Sequence, residues 1–108
     1  MRNSNTREEI LDNIQRIVVK VGTSTLTTED GHLDIEKIKK IVLELSNLQD
    51  KGYDVILVTS GAVGAGMGLL NISEKPKTLA EKQMLSAVGQ VSLMQIYQTL
   101  FKEHNKII

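Results

Sequence analysis

Three observations predict an α/β fold built on a parallel sheet. Two short apolar runs, Ile17 to Val21 and Val55 to Val58, are rich in β-branched residues and lack the strict polar alternation of a strand with one wet face. Between them, Ile35, Ile38, Ile41, Val42, Leu45 and Leu48 recur at intervals of three and four, the spacing of an amphipathic helix. A glycine-rich turn, Thr59 to Gly66, follows the second run and leads into further helical sequence. Strand, helix and strand in that order form a βαβ unit, so the two strands are expected to be parallel neighbours, buried on both faces.

The elements are justified in chain order. Thr6 with Glu9 three residues on makes a capping box ahead of Ile10, Leu11 and Ile14, which predicts a short helix in an N-terminal extension covering residues 1–16. Ile17 to Val21 is the first strand, ended by the loop Gly22-Thr23-Ser24-Thr25. Thr28-Glu29-Asp30-Gly31 supplies turn chemistry, and Asp34 is a suitable N-cap for the Ile35 helix. Lys51-Gly52 closes that helix in the manner of a glycine C-cap, and Asp54 leads into the second strand. After Pro76, a second capping box, Thr78 with Glu81, opens a long helix. Its expected stripe runs through Leu79, Met84, Leu85, Val88, Val91, Met94, Tyr97, Leu100 and Phe101, and its end falls near Lys102 to His104. Asn105 to Ile108 reads as the start of a third strand. So small a parallel sheet would leave an edge and a face uncovered, so residues 17–108 are expected to be the N-terminal part of a larger domain.

Composition narrows the function classes. The chain has 108 residues, with 13 Lys plus Arg against 13 Asp plus Glu, a formal net charge of zero. That balance lacks the basic footprint of a nucleic-acid binder. No cysteine is present, which removes disulfide scaffolds, thiolate metal sites and cysteine nucleophiles and fits a cytoplasmic setting. Val55 to Ser73 is uncharged and long enough to imitate a membrane span, but its internal sequence of apolar run, turn residues and spaced glycines reads as strand, turn and helix, so no membrane partner is expected.

Chemistry concentrates at the two strand ends. Lys20 is the only charged residue between Ile17 and Leu26. A buried ammonium needs an anionic partner, and three readings fit: an ion pair with a carboxylate elsewhere in the fold, an ammonium that reaches solvent past the last strand residue, or a point charge over a phosphate at the ligand-binding end of a parallel sheet. Gly22, Thr23 and Ser24 offer backbone N–H groups and hydroxyls to an anion. The turn Thr59-Ser60-Gly61-Ala62-Val63-Gly64-Ala65-Gly66 opens a helix whose N-terminus favours a carboxylate or phosphate; close helix packing is the other use of Gly64, Gly66 and Gly68. Neither G-x-x-x-x-G-K-[ST] nor G-x-G-x-x-G occurs at this turn. A hydrolase elbow around Ser60 would need glycine where Val58 and Ala62 stand. His32 and His104 show no metal-ligand spacing and read as solvated bystanders, and no metal ligand is identified.

Three blocks, Ile17 to Ser24, Val58 to Val63 and Lys82 to Gln90, together resemble the amino acid kinase family, in particular its members that act on glutamate. The resemblance implies a three-layer α/β/α fold with a mostly parallel sheet. It also implies ATP-dependent phosphorylation of the L-glutamate side-chain carboxylate to glutamyl 5-phosphate, the first step of proline biosynthesis, with Mg²⁺ accompanying ATP. Lys20 matches the family's catalytic lysine on the ATP phosphates, and Gly22, Thr23 and Ser24 match its phosphate-facing loop. Ser60, Gly61 and Ala62 match the turn that contacts glutamate. The family's remaining glutamate ligands and its adenine-binding half have no counterpart in these 108 residues, so the isolated chain is expected to be inactive. A homo-oligomer is expected. The competing readings are a short non-catalytic carboxylate-binding or regulatory module, and a structural piece that buries the Thr78 to Phe101 stripe against another subunit.

Overall fold

The computed structural model describes residues 15–108. The helix expected over Thr6 to Ile14 lies outside the described residues. The observed elements are β1 (Arg16–Val21), α1 (Thr23–Leu26), α2 (Ile35–Asp50), β2 (Asp54–Thr59), α3 (Ala62–Leu69) and α4 (Leu79–Lys102). The α/β class and the parallel pairing are as the sequence predicts: β1 and β2 run parallel in register from Arg16↔Asp54 to Val21↔Thr59.

Local chemistry explains the boundaries. The Asp34 carboxylate accepts from the backbone N–H groups of Glu36 and Lys37, capping α2, and Gly52 at φ +98° lets the chain leave the helix toward β2. The Thr78 hydroxyl accepts from the Glu81 N–H at the start of α4, while the Glu81 carboxylate accepts from the Lys77 N–H. The stretch expected as a loop after β1 instead winds into the single turn α1. Thr27 Oγ1 donates to the Thr23 carbonyl, which closes that turn.

The core lies on one face of the sheet. Leu26, Ile38, Val42 and Leu45 meet Leu93, Tyr97, Leu100 and Phe101 there, with Val19, Val21, Val55 and Leu57 supplying the sheet side. Strand periodicity puts Val18, Lys20, Ile56 and Val58 on the opposite face, which nothing among the described residues covers, and Val18 is 58% exposed. Among the described residues the strands are covered on one face only, the open face that so small a parallel sheet is expected to leave. An uninterrupted apolar run states that a strand tolerates burial on two sides, not which segment supplies the second cover.

Two further expectations change. Residues 105–108 form no strand: Asn105 adopts φ +60°, Lys106 N–H returns to the Phe101 carbonyl, and Ile107 stands exposed. Lys106 instead pairs with Asp50, tying the end of the described chain to the end of α2. The α4 stripe is rotated relative to the prediction. Leu85, Leu93, Tyr97, Leu100 and Phe101 are buried, but Leu79, Met84 and Val91 are exposed, and Gly89 occupies the buried face in their place. The reason lies in how α3 crosses α4.

A β-carbon added at Gly89 would stand 1.9 Å from the Ala62 carbonyl oxygen, and one at Gly66 would stand 2.2 Å from the Leu85 carbonyl oxygen. The two helices thus touch backbone to backbone, each presenting a glycine to the other. Gly64 makes a similar approach to the Gly31 carbonyl oxygen, at 2.7 Å. Packing is therefore what Gly64 and Gly66 contribute in this structure, whereas Gly68 faces open space.

Candidate functional site

The parallel register brings the two strand ends together. The Ser60 backbone N–H donates to the Val21 carbonyl at 3.0 Å, so the Gly22-Thr23-Ser24 segment and the Ser60-Gly61-Ala62 turn leave the same edge of the sheet side by side. This is the carboxyl end of the strands, where open α/β sheets hold their ligands. Lys20 lies opposite Val58, one residue before the end of β1.

Lys20 differs from the sequence reading in one respect. It is exposed, and it has no ion-pair partner among the described residues. The buried ammonium that would have required a carboxylate is absent because strand alternation places residue 20 on the uncovered face. Among the described residues the Lys20 ammonium thus reaches solvent near the strand ends, as in the second of the readings above.

Gly61 is the N-cap of α3 at φ +111°, a left-handed conformation that side chains other than glycine rarely adopt. No side chain caps the helix there. A β-carbon at that position would also press on Leu33 and Leu26 at 3.2 and 3.3 Å. Gly61 is buried, Ala62 half-buried, and Gly22, Thr23, Ser24 and Ser60 exposed. The turn is thus held from behind and open in front, with the first N–H groups of an eight-residue helix following it.

Sequence reasoning missed the group that fixes this turn. Thr59 Oγ1 lies 2.8 Å from the Ser60 carbonyl oxygen and 2.7 Å from the Tyr97 hydroxyl. A carbonyl can only accept, so Thr59 donates to Ser60 and the Tyr97 hydroxyl donates to Thr59. Tyr97 is 1% exposed and stacks on Phe101 at 6.3 Å between ring centroids. Burial pushes its phenol above the ordinary 10.0, so the phenol keeps its proton and its donor role at neutral pH. The chain Tyr97, Thr59, Ser60 therefore runs from the core to the turn. Its only sequence signal was a tyrosine within an apolar stripe, which reads equally as packing.

His32 is also more than a bystander. Its Nε2 lies 2.8 Å from the Ile72 carbonyl, to which it donates, joining the loop after α1 to the turn after α3. The same loop is held by an antiparallel bridge between Thr27 and Leu33 and by Lys37 Nζ donating to the Thr27 carbonyl at 2.9 Å. Asp30 in this loop accepts from Thr28 Oγ1, and that hydrogen bond lowers its pKa below 3.8.

Comparison with known proteins agrees with this architecture. The profile of the amino acid kinase family matches residues 15–106. The chain belongs to that family. It is similar to the glutamate 5-kinase of Caldanaerobacter subterraneus subsp. tengcongensis, 60% identical over 92 residues, which make up 85% of this chain and 25% of that protein. The glutamate 5-kinase of a Thermoanaerobacter species is 59% identical over the same length, and that of Clostridium acetobutylicum 51% identical over 104 residues, 39% of its length. The chain thus spans about a quarter to two-fifths of these amino acid kinases. No helix among the described residues is long and apolar enough to cross a membrane.

Proposed function

We propose that this chain supplies the glutamate-binding part of an ATP-dependent kinase that converts L-glutamate to glutamyl 5-phosphate, the first step of proline biosynthesis. The observation that carries the reading is the Ser60 to Val21 hydrogen bond, which sets the lysine-bearing strand end beside an open helix-starting turn in a chain similar to glutamate 5-kinases. In this reading a side-chain carboxylate oxygen of glutamate attacks the γ-phosphorus of ATP. The bond from that phosphorus to the β,γ-bridging oxygen breaks, and ADP leaves with the electron pair.

The protein's contribution to such a transfer is positioning and electrostatic stabilisation. Lys20 supplies a positive charge to the transferring phosphoryl group, with Gly22, Thr23 and Ser24 lining the phosphates. The Ser60 hydroxyl and the N-terminus of α3, shaped by Gly61 and Ala62, hold the substrate carboxylate. Mg²⁺ accompanies ATP in this reading, and no residue of this chain is assigned to it. The reading also includes a cytoplasmic homo-oligomer, for which exposed Leu79, Met84 and Val91 on α4 offer apolar surface.

The test is glutamate-dependent ADP formation by the kinase carrying this segment. Lys20→Gln should lower kcat by roughly a hundredfold or more, the scale for removing one group that stabilises transition-state charge. Ser60→Ala should chiefly raise the KM for glutamate. Unchanged kcat in the Lys20 variant, or ADP formation indifferent to glutamate, would refute the assignment.

A further inference from the structure

Tyr97 lies inside the molecule, yet its one hydroxyl is directed at the edge of the strand-end site. The side chain is 1% exposed and stacks on Phe101, so for packing alone a phenylalanine would serve. A buried hydroxyl is costly unless it is hydrogen-bonded, and this one meets Thr59 Oγ1 at 2.7 Å. Thr59 in turn donates to the Ser60 carbonyl oxygen at 2.8 Å. Among the described residues neither hydroxyl makes another hydrogen bond. The chain therefore has a single destination, the peptide that joins Ser60 to Gly61.

Covalent geometry sets what that anchor does. The Ser60–Gly61 peptide is trans and planar, so its C=O and N–H point opposite ways. Val55, Leu57 and Thr59 share the core-facing side of β2, whereas Lys20 and Val58 stand on the uncovered face. Drawing the Ser60 carbonyl to the Thr59 hydroxyl thus turns the Gly61 N–H away from the core side. That N–H has no hydrogen-bond partner among the described residues, and the free N–H groups of the first turn of α3 follow it. A threonine hydroxyl has one proton, and Tyr97 donating to Thr59 leaves that proton for Ser60. Without the phenol, the Thr59 hydroxyl regains other orientations and the carbonyl loses its fixed partner.

We propose that Tyr97, acting through Thr59, is a positioning residue for the substrate carboxylate: the two hydroxyls orient the Ser60–Gly61 peptide so that the Gly61 N–H donates to that carboxylate. This role rests on the kinase reading, to which it adds a side chain from α4, one from the end of β2 and a donor of defined direction. A donor that holds the carboxylate equally before and during phosphoryl transfer contributes to binding, so its loss appears in KM rather than in kcat.

The test is steady-state kinetics of the kinase carrying this segment, with ADP formation followed against L-glutamate. Tyr97→Phe should raise the KM for L-glutamate about fivefold, the scale of one hydrogen bond, and leave kcat and the KM for ATP within about twofold. Thr59→Val removes the Ser60 anchor itself and should raise that KM further. The double variant should match Thr59→Val alone, because the two side chains act in series. Thr59→Ser keeps both hydrogen bonds and should retain the parental KM. Thr78→Ala uncaps α4 roughly 28 Å along the helix from Tyr97, so it loosens the fold without touching these hydroxyls and should leave KM unchanged. Additive effects in the double variant, or an equal rise in KM in Thr78→Ala, would overturn the proposal. ADP formation indifferent to glutamate, or unchanged kcat in Lys20→Gln, would overturn the kinase reading and this role with it. Glutamate-dependent ADP formation with a parental KM in Tyr97→Phe would overturn this role alone.

Discussion

Replacing Gly89 with alanine tests whether the crossing of α3 and α4 is the contact that organises this fold. The new β-carbon would begin 1.9 Å from the Ala62 carbonyl oxygen and 2.4 Å from the Gly66 nitrogen, and ordinary contact begins at 3.4 Å. Both obstacles are backbone atoms in a helix, so the helices must part locally by about 1.5 Å. A gap of even 0.5–1 Å forfeits roughly a quarter to a half of each van der Waals well along the seam. The buried neighbours Ala65, Leu85 and Leu93 would feel that loss. Overpacking of this kind costs about 1–3 kcal/mol and more where backbone cannot yield, while the helix propensity of alanine returns about 1 kcal/mol. The expected net destabilisation is about 2 kcal/mol or more, which lowers Tm by roughly 8–16 °C for a domain of this size. Gly68→Ala is the internal control. Nothing lies within 4 Å of its β-carbon, so the same substitution should stabilise by up to about 1 kcal/mol. Urea and thermal unfolding of both variants decide the matter. A Gly89→Ala protein within about 0.5 kcal/mol of the parent, or two variants with the same sign, would refute the packing argument.

Asp34→Ala removes two hydrogen bonds at the start of α2 and should cost about 1 kcal/mol in urea unfolding, with Asp34→Asn largely retaining the cap. Tyr97→Phe deprives Thr59 of its donor while Thr59 still donates to Ser60, a loss of about 1 kcal/mol. The sign of the associated pH effect follows from the raised Tyr97 pKa. Above about 10 the unfolded phenol ionises first, so stability falls as pH rises through that range, and Tyr97→Phe should flatten the fall. Asp30 has the opposite sense: its folded pKa is depressed, so any contribution is present above the ordinary carboxylate value and lost as pH falls through the lowered one. Thr28→Val should return the Asp30 titration, followed by carboxyl ¹³C shifts, toward 3.8, because the Thr28 hydroxyl is the largest cause of the depression.

The parts of the fold legible in the sequence are those governed by short-range rules. Asp34 before an apolar period, Gly52 after it and Thr78 ahead of Glu81 each state a boundary through groups a few residues apart, and the structure uses all three. The parts that were not legible depend on partners distant in sequence. Nothing in Leu79, Met84 or Val91 announces that a glycine 23 residues before Gly89 will claim the buried side of α4. Residues 105–108 show the same limit from another direction. An apolar tetrapeptide ending in Ile107-Ile108 has the composition of a strand, but a strand exists only where a neighbour accepts its hydrogen bonds, and Lys106 N–H bonds to Phe101 instead.

The candidate site divides along the same line. Which residues stand at the strand ends follows from the strand boundaries alone, so Gly22 to Ser24 and Ser60 to Ala62 could be placed side by side once β1 and β2 were taken as parallel. What holds Ser60 could not. Thr59 and Tyr97 are 38 residues apart, and their hydrogen bond exists because the glycine contact between α3 and α4 fixes where the next turns of α4 run. Gly89 and Tyr97 are eight residues apart on one helix, a little over two turns, and both are buried. A shift of α4 at Gly89 would therefore carry Tyr97 with it. The hydroxyl at 2.7 Å from Thr59 has little slack, since a displacement of 1 Å takes it beyond hydrogen-bond range. Packing at a glycine remote from the strand ends and the orientation of the Ser60 peptide are thus one mechanical system, which makes Gly89→Ala a perturbation of the site as well as of the core.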